Sequence, residues 1–212
     1  MIHIKRLPEP KILIKKKREW TSQFIKSDKK RPDHSKYAHQ EIKSTLITMS
    51  HNKCFYCETL LKGSTKEVDH LIEVSEDKKK AYEWSNLFLS CSNCNKKIPH
   101  TSIPADHVLN PCEDQDEEIR KHITFINEEI IFITDKGELT IQKFKLNSER
   151  LDYLRLKQLQ KFYEVLVSIL MAIKHENRKI SAHEKEVLQR FKRLDNCYSF
   201  MFQTILEKYP IQ

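Results

Sequence analysis

Two cysteine pairs constrain this chain more than any other feature. Cys54-Phe55-Tyr56-Cys57 and Cys91-Ser92-Asn93-Cys94 are both CxxC, with 33 residues between them. A CxxC turn aims two thiolates at one point, and two such turns complete the tetrahedral shell that zinc prefers. A closed four-sulfur shell leaves no position for water, so the ion is expected to be structural. Its binding energy then substitutes for the limited core of a small motif. A redox role is the competing reading of a single CxxC, and the second matching pair argues against it. Cys112 and Cys197 have no such partner and are expected to be buried free thiols.

The segment between the pairs is rich in chemistry. It holds Glu67-Val68-Asp69-His70 and Trp84-Ser85-Asn86-Leu87, and Asn95 directly follows the second pair. Hydrolysis of a phosphodiester needs a base that works near neutral pH, and histidine supplies one. It also needs oxygen ligands for a hard divalent ion that stabilises charge on the phosphate. Asp69 and His70 fall on an expected strand, where successive side chains point to opposite faces. A twist or bulge is therefore expected to bring both into one cleft. Asn95 is expected at the start of a short helix fixed by the second pair. Asp106-His107, outside the pairs and between prolines, reads as a loop pair. His100, His34, His39 and His51 read as solvent-exposed or unpartnered. Trp20 and Trp84 could stack on bases, with packing beside the knuckle the stronger reading for Trp84.

Charge points the same way. Net charge is +8, and residues 1–53 carry fourteen Lys/Arg against five Asp/Glu, leaving the rest near neutral. The runs Lys15-Lys16-Lys17-Arg18 and Lys29-Lys30-Arg31 suit a polyphosphate backbone, and a solvated basic face is the bland alternative. The only glycines are Gly63 and Gly137, so a glycine-rich phosphate cradle is excluded. No apolar leader opens the chain and no run approaches the roughly 20 apolar residues of a membrane span. A cytoplasmic protein with no membrane partner is the expectation.

The order Cys54-x-x-Cys57, Val68-Asp69-His70, Trp84-Ser85-Asn86-Leu87, Cys91-x-x-Cys94-Asn95 resembles the zinc-knuckle branch of the HNH (His-Me finger, ββα-metal) endonucleases. The resemblance implies that His70 is the general base and that Asp69 and Asn95 ligate a catalytic Mg²⁺ or Mn²⁺. It also implies that Asn86 orients His70 and that Cys54, Cys57, Cys91 and Cys94 hold Zn²⁺. Two positions depart from the commonest pattern: asparagine stands at 95 where many members have histidine, and Ile98 stands where many have lysine. Lys96 and Lys97 precede it, and either could meet phosphate. The Ile2-x-Ile4-x-Arg6 opening, Leu109-Asn110-Pro111 and the stretch from Phe144 to Arg155 resemble one subfamily, the PtuB-like effectors of Septu and retron-associated anti-phage systems. That likeness implies a nucleic-acid substrate, DNA ahead of RNA (tRNA included), and a PtuA-like ATPase partner. A retron reverse transcriptase with its ncRNA/msDNA is a further implied partner. The rival readings are a zinc-knuckle nucleic-acid-binding module without catalysis and an interaction subunit.

The expected fold class is α+β: a zinc-stapled ββα-metal core over residues 51–112, a basic helical arm over 1–50, and a small β segment with helices over 113–212. Within these, helices are expected at 15–27 and 36–50, and a solvated acidic loop at 113–118. Two β-rich runs are expected within 122–134, then a turn at 135–137 and a third strand at 139–144. Asn147 is expected to cap a helix, with another over 181–207, their apolar stripes facing the core.

Overall fold

The computed structural model describes residues 1–62 and 66–208; Gly63 lies outside the described residues. The mixed architecture expected from sequence is present, and a single apolar core runs from Met1 to Leu206. At its centre β1 (Glu67–His70) pairs antiparallel with β2 (Leu87–Ser90), in unbroken register from Glu67↔Ser90 to His70↔Leu87. Every residue of β2 is buried, because the strand is covered on both faces.

The N-terminal third wraps this pair. Helix α1 (Lys11–Lys26) begins after Pro10, short α2 (His34–Tyr37) follows, and α3 is Gln40–Met49. The expected helix at 36–50 is thus broken at Ala38 and His39, where the His39 side chain accepts from the Glu41 amide and starts a new helix. The arm is not a free tail. Met1, Ile2 and Ile4 are buried, and the Ile4 amide donates to the Pro111 carbonyl at 2.6 Å. Arg6 donates to the carbonyls of Trp84 and Leu87 and lies over the Trp84 and Phe88 rings, while Trp84 Nε1 donates to the Leu7 carbonyl. Trp84 is therefore consumed in packing, and Trp20 rests against Tyr82.

The second cysteine pair opens helix α4 (Ser92–Asn95), with Cys91 as its N-cap, and this completes a strand–strand–helix unit with Asn95 as the helix's last residue rather than its first. Several expectations for the C-terminal half are corrected. The acidic stretch is a loop only over its first half, residues 113–115. Asp116, Glu117 and Glu118 form the first turn of α5 (Asp116–His122), where carboxylates offset the positive end of the helix dipole. The two β runs appear as β3 (Ile123–Ile126) and β4 (Glu129–Phe132). The expected third strand is instead α6 (Asp135–Phe144), capped by Thr134. Gly137 sits in its first turn, where an added Cβ would stand 2.0 Å from the His122 carbonyl oxygen. Backbone-to-backbone approach, not a turn, is what requires glycine here.

Ser148, not Asn147, precedes the long α7 (Glu149–Glu176). The expected helix over 181–207 is split into α8 (Ala182–Gln189) and α9 (Ser199–Lys208) by a turn ending at Tyr198, which has φ 54°. The break returns the chain to the knuckle: the Tyr198 hydroxyl meets Thr59, and Ser199 donates to buried Glu58 at 2.5 Å. The stripes are only partly core. Leu151, Leu159, Phe162 and Ile169 are buried, while Leu170 and Leu194 are exposed. Cys112 and Cys197 are half-buried rather than buried.

Candidate nuclease site

The two CxxC turns meet as the sequence requires. The sulfurs of Cys54, Cys57, Cys91 and Cys94 all lie within 4.8 Å of one another, and Cys57 Sγ is 3.7 Å from Cys91 Sγ. Sulfurs about 2.3 Å from zinc stand roughly 3.8 Å apart on a tetrahedron, so the cluster fits that ion. Burial pushes the Cys54 thiol above its ordinary value, and a divalent cation is what makes four packed thiolates tolerable. Thr59 Oγ1 lies 3.1 Å from Cys57 Sγ, bringing the Tyr198 contact into the shell around the sulfurs.

The knuckle reaches the cleft through Tyr56, a residue inside the first CxxC. Its ring stacks on Phe144 at 4.1 Å, and its buried hydroxyl donates to Asp69 Oδ2 at 2.8 Å. Asp69 Oδ1 accepts from Lys97 at 2.5 Å, and Lys97 Nζ also lies 3.6 Å from Glu73 Oε1. Burial pushes the Asp69 carboxyl up, and Lys97 and Tyr56 pull it back toward the charged form. Glu67 shares this strand face with Asp69, two residues away. Its Oε2 accepts from Asn95 Nδ2, which ties α4 to β1.

His70 occupies the opposite face of β1, at the strand's end. Its Nε2 pairs with the Ala81 carbonyl at 2.9 Å, and its ring lies 4.8 Å from the Tyr37 ring. A carbonyl only accepts, so Nε2 carries the proton and Nδ1 keeps a free lone pair in the neutral ring. Burial pushes His70 down to about 4, while the Ala81 carbonyl works in the other direction. Among the described residues, the Asn86 side chain makes its hydrogen bonds elsewhere than to the imidazole. That side chain accepts from the Ile72 amide and donates to the Ile72 and Lys80 carbonyls, closing the loop between the strands. The direct partner of His70 is thus a backbone carbonyl next to one that Asn86 holds.

No bulge is needed to bring Asp69 and His70 together. The strand ends at His70, and one cleft of about 460 Å³ wraps around that end, lined by both residues with Glu73, Asn95 and Lys97. Lys30 and Arg31, from the loop between α1 and α2, line the same cleft and are exposed. Tyr37, Tyr56, Glu73 and the Ala81 carbonyl were not singled out from sequence. Only the position of Tyr56 within a CxxC was a usable signal. Asp106 and His107 are exposed in a turn, and His100 Nδ1 accepts from the Ala105 amide.

An antiparallel strand pair followed by a short helix is the ββα arrangement, and an HNH endonuclease family model matches residues 54–100. The flanks narrow this further. The chain is 32% identical over 185 residues to the Septu protein PtuB of Bacillus thuringiensis, covering 86% of this chain and 69% of that one. A second Septu protein PtuB, from Bacillus mycoides strain KBAB4, is 24% identical over 206 residues, covering 79% and 69%. The chain belongs to the PtuB family of Septu proteins and carries an HNH endonuclease domain. Among the described residues, no helix is long and apolar enough to cross a membrane.

Proposed function

We propose that this chain hydrolyses nucleic-acid phosphodiester bonds as the effector of an anti-phage system, acting with a PtuA-like ATPase. One observation carries the reading: the His70 ring is fixed by Ala81 with Nδ1 free, in the cleft that Asp69, Asn95, Lys30 and Arg31 share. A Mg²⁺ or Mn²⁺ ion held by Asp69 and Asn95 would stabilise charge on the scissile phosphate and the leaving oxygen. The donor set fits a hard cation, because Asp69 and Asn95 offer a carboxylate and an amide oxygen in one cleft. Glu67 holds the Asn95 amide by its nitrogen, which leaves the amide oxygen for a ligand.

The residues then divide the work. His70 Nδ1 takes a proton from water as the water oxygen attacks phosphorus, the bond to the 3′ oxygen breaks, and that oxygen takes its proton from solvent water. The products are a 5′-phosphate and a 3′-hydroxyl. Asn86 acts as a positioning residue, holding the turn that supplies the Ala81 carbonyl. Lys30 and Arg31 bind the flanking phosphates, and that contact is blind to base sequence. DNA is the leading substrate, with RNA as the alternative. Tyr163, Val167, Leu170 and Met171 are exposed at helical spacing along α7 and support docking of an ATPase there. A reverse transcriptase with its RNA is a second assembly to test.

The test is incubation of the purified chain, alone and with its ATPase, with plasmid, single-stranded DNA and total RNA under Mg²⁺ or Mn²⁺. Wild type should cleave one of them, and His70→Ala should lose about 10²-fold or more in rate. Cleavage by His70→Ala at the wild-type rate, or binding without metal-dependent cleavage in either form, would replace this reading with the non-catalytic one.

A further inference from the structure

Lys97 occupies an odd place for a surface-rich residue type. Its side chain is 4% exposed, and its ammonium sits on Asp69 Oδ1 with Glu73 Oε1 3.6 Å away. Both Asp69 oxygens are engaged, since Oδ2 accepts from Tyr56. A buried carboxylate must be paired with a cation, and here the pairing cation belongs to the chain itself. A divalent ion on the same carboxylate would approach its oxygens to about 2.0–2.1 Å. An ammonium and a dication cannot share one buried oxygen without strong like-charge repulsion. Glu73 offers the ammonium somewhere to go, because its Oε1 has no hydrogen-bond partner among the described residues while its Oε2 accepts from the His100 amide.

Resting on the metal-site reading above, we propose that Lys97 is the resident counter-cation of that site: it neutralises Asp69 until a divalent ion displaces it onto Glu73. Metal loading is then an exchange of cations rather than simple binding. Asp69 faces a cation in both states. The site stays preformed without metal, at the expense of metal affinity. Glu73 is the residue that makes the exchange possible.

The experiment titrates Mn²⁺ into the zinc-loaded full chain without nucleic acid, reading free Mn²⁺ by its electron paramagnetic resonance signal. Lys97→Met should bind Mn²⁺ tighter by about tenfold or more, because no ammonium must be expelled. Glu73→Gln should weaken binding in the wild-type background and change little alongside Lys97→Met. If Lys97→Met does not fold, Lys97→Gln carries the same expectation. Unchanged or weaker binding in the Lys97 variant, with Asp69→Asn abolishing binding, overturns the exchange and leaves the metal site standing. Equal binding by wild type and Asp69→Asn overturns the metal site itself, and the exchange with it. Binding detectable only in the Lys97 variant is the limiting supporting result.

Discussion

Arg6 shows how much one side chain does in joining the N-terminal segment to the strand pair. Its guanidinium satisfies the Trp84 and Leu87 carbonyls at 2.7 and 3.1 Å, and its plane covers the Phe88 ring at 4.7 Å. Arg6→Ala removes the donors and the packing together, which should cost about 2–3 kcal/mol. Urea denaturation should show a lower midpoint with an unchanged slope, and an unchanged midpoint would remove Arg6 from this role. Tyr56 plays the corresponding part between the knuckle and β1. It belongs to the knuckle by sequence and to the Asp69 site by hydrogen bond, so a single side chain links the zinc cluster to the proposed metal ligand.

Among elements, the end of α5 and the first turn of α6 meet in a close backbone approach, Gly137 against His122. A methyl group there must push α6 away from backbone rather than from a flexible side chain. Gly137→Ala should therefore destabilise the fold by about 1–3 kcal/mol, measured as a shift of the urea midpoint. Helix α6 is also fastened to the segment after the knuckle, through buried Lys143 donating to the Ile98 and Ile103 carbonyls at 3.0 and 2.7 Å. The knuckle itself joins β2 through the Phe55 amide and the Leu89 carbonyl, at 2.9 Å. Removal of zinc by a chelator should lower the melting temperature and be reversed by added Zn²⁺, with Cys91→Ser reproducing the loss without chelator. A chain whose melting is indifferent to both treatments does not depend on a structural ion.

For the whole molecule, the basic N-terminal quarter is folded against the cleft and delivers Lys30 and Arg31 to its mouth. Phosphate contacts release counterions, so each removed contact lowers the slope of log affinity against log salt by about 0.7–0.9. A Lys30→Ala, Arg31→Ala chain should show that slope reduced by about 1.4–1.8 in nucleic-acid binding, with thermal stability kept. An unchanged slope would assign the contacts to other basic residues. The C-terminal end is bound into the same unit, since Lys53, Glu58 and Ser199 form one buried polar cluster. Segments that read as arm, core and extension in sequence thus share one packed interior.

The sequence alone determined the features that depend on spacing and residue chemistry. CxxC twice over dictates a four-sulfur cluster, and two β-rich runs around a polar break dictate β3 and β4. Asp69, His70 and Asn95 were legible as candidates because their chemistry is specific and their distances from the cysteines are short. Tertiary structure alone decided what depends on partners distant in the chain. Residues 139–144 form a helix because Thr134 caps it and Gly137 lets it sit on the His122 backbone, a contact that residue preference cannot register. The chain breaks at Tyr198 because packing on Glu58 and Thr59 outweighs helix continuity. His70 is held by the Ala81 carbonyl, Lys97 sits on Asp69, and Arg31 reaches the same cleft. A backbone carbonyl carries no side-chain signature, and a lysine's partner is set by where folding leaves the nearest buried carboxylate.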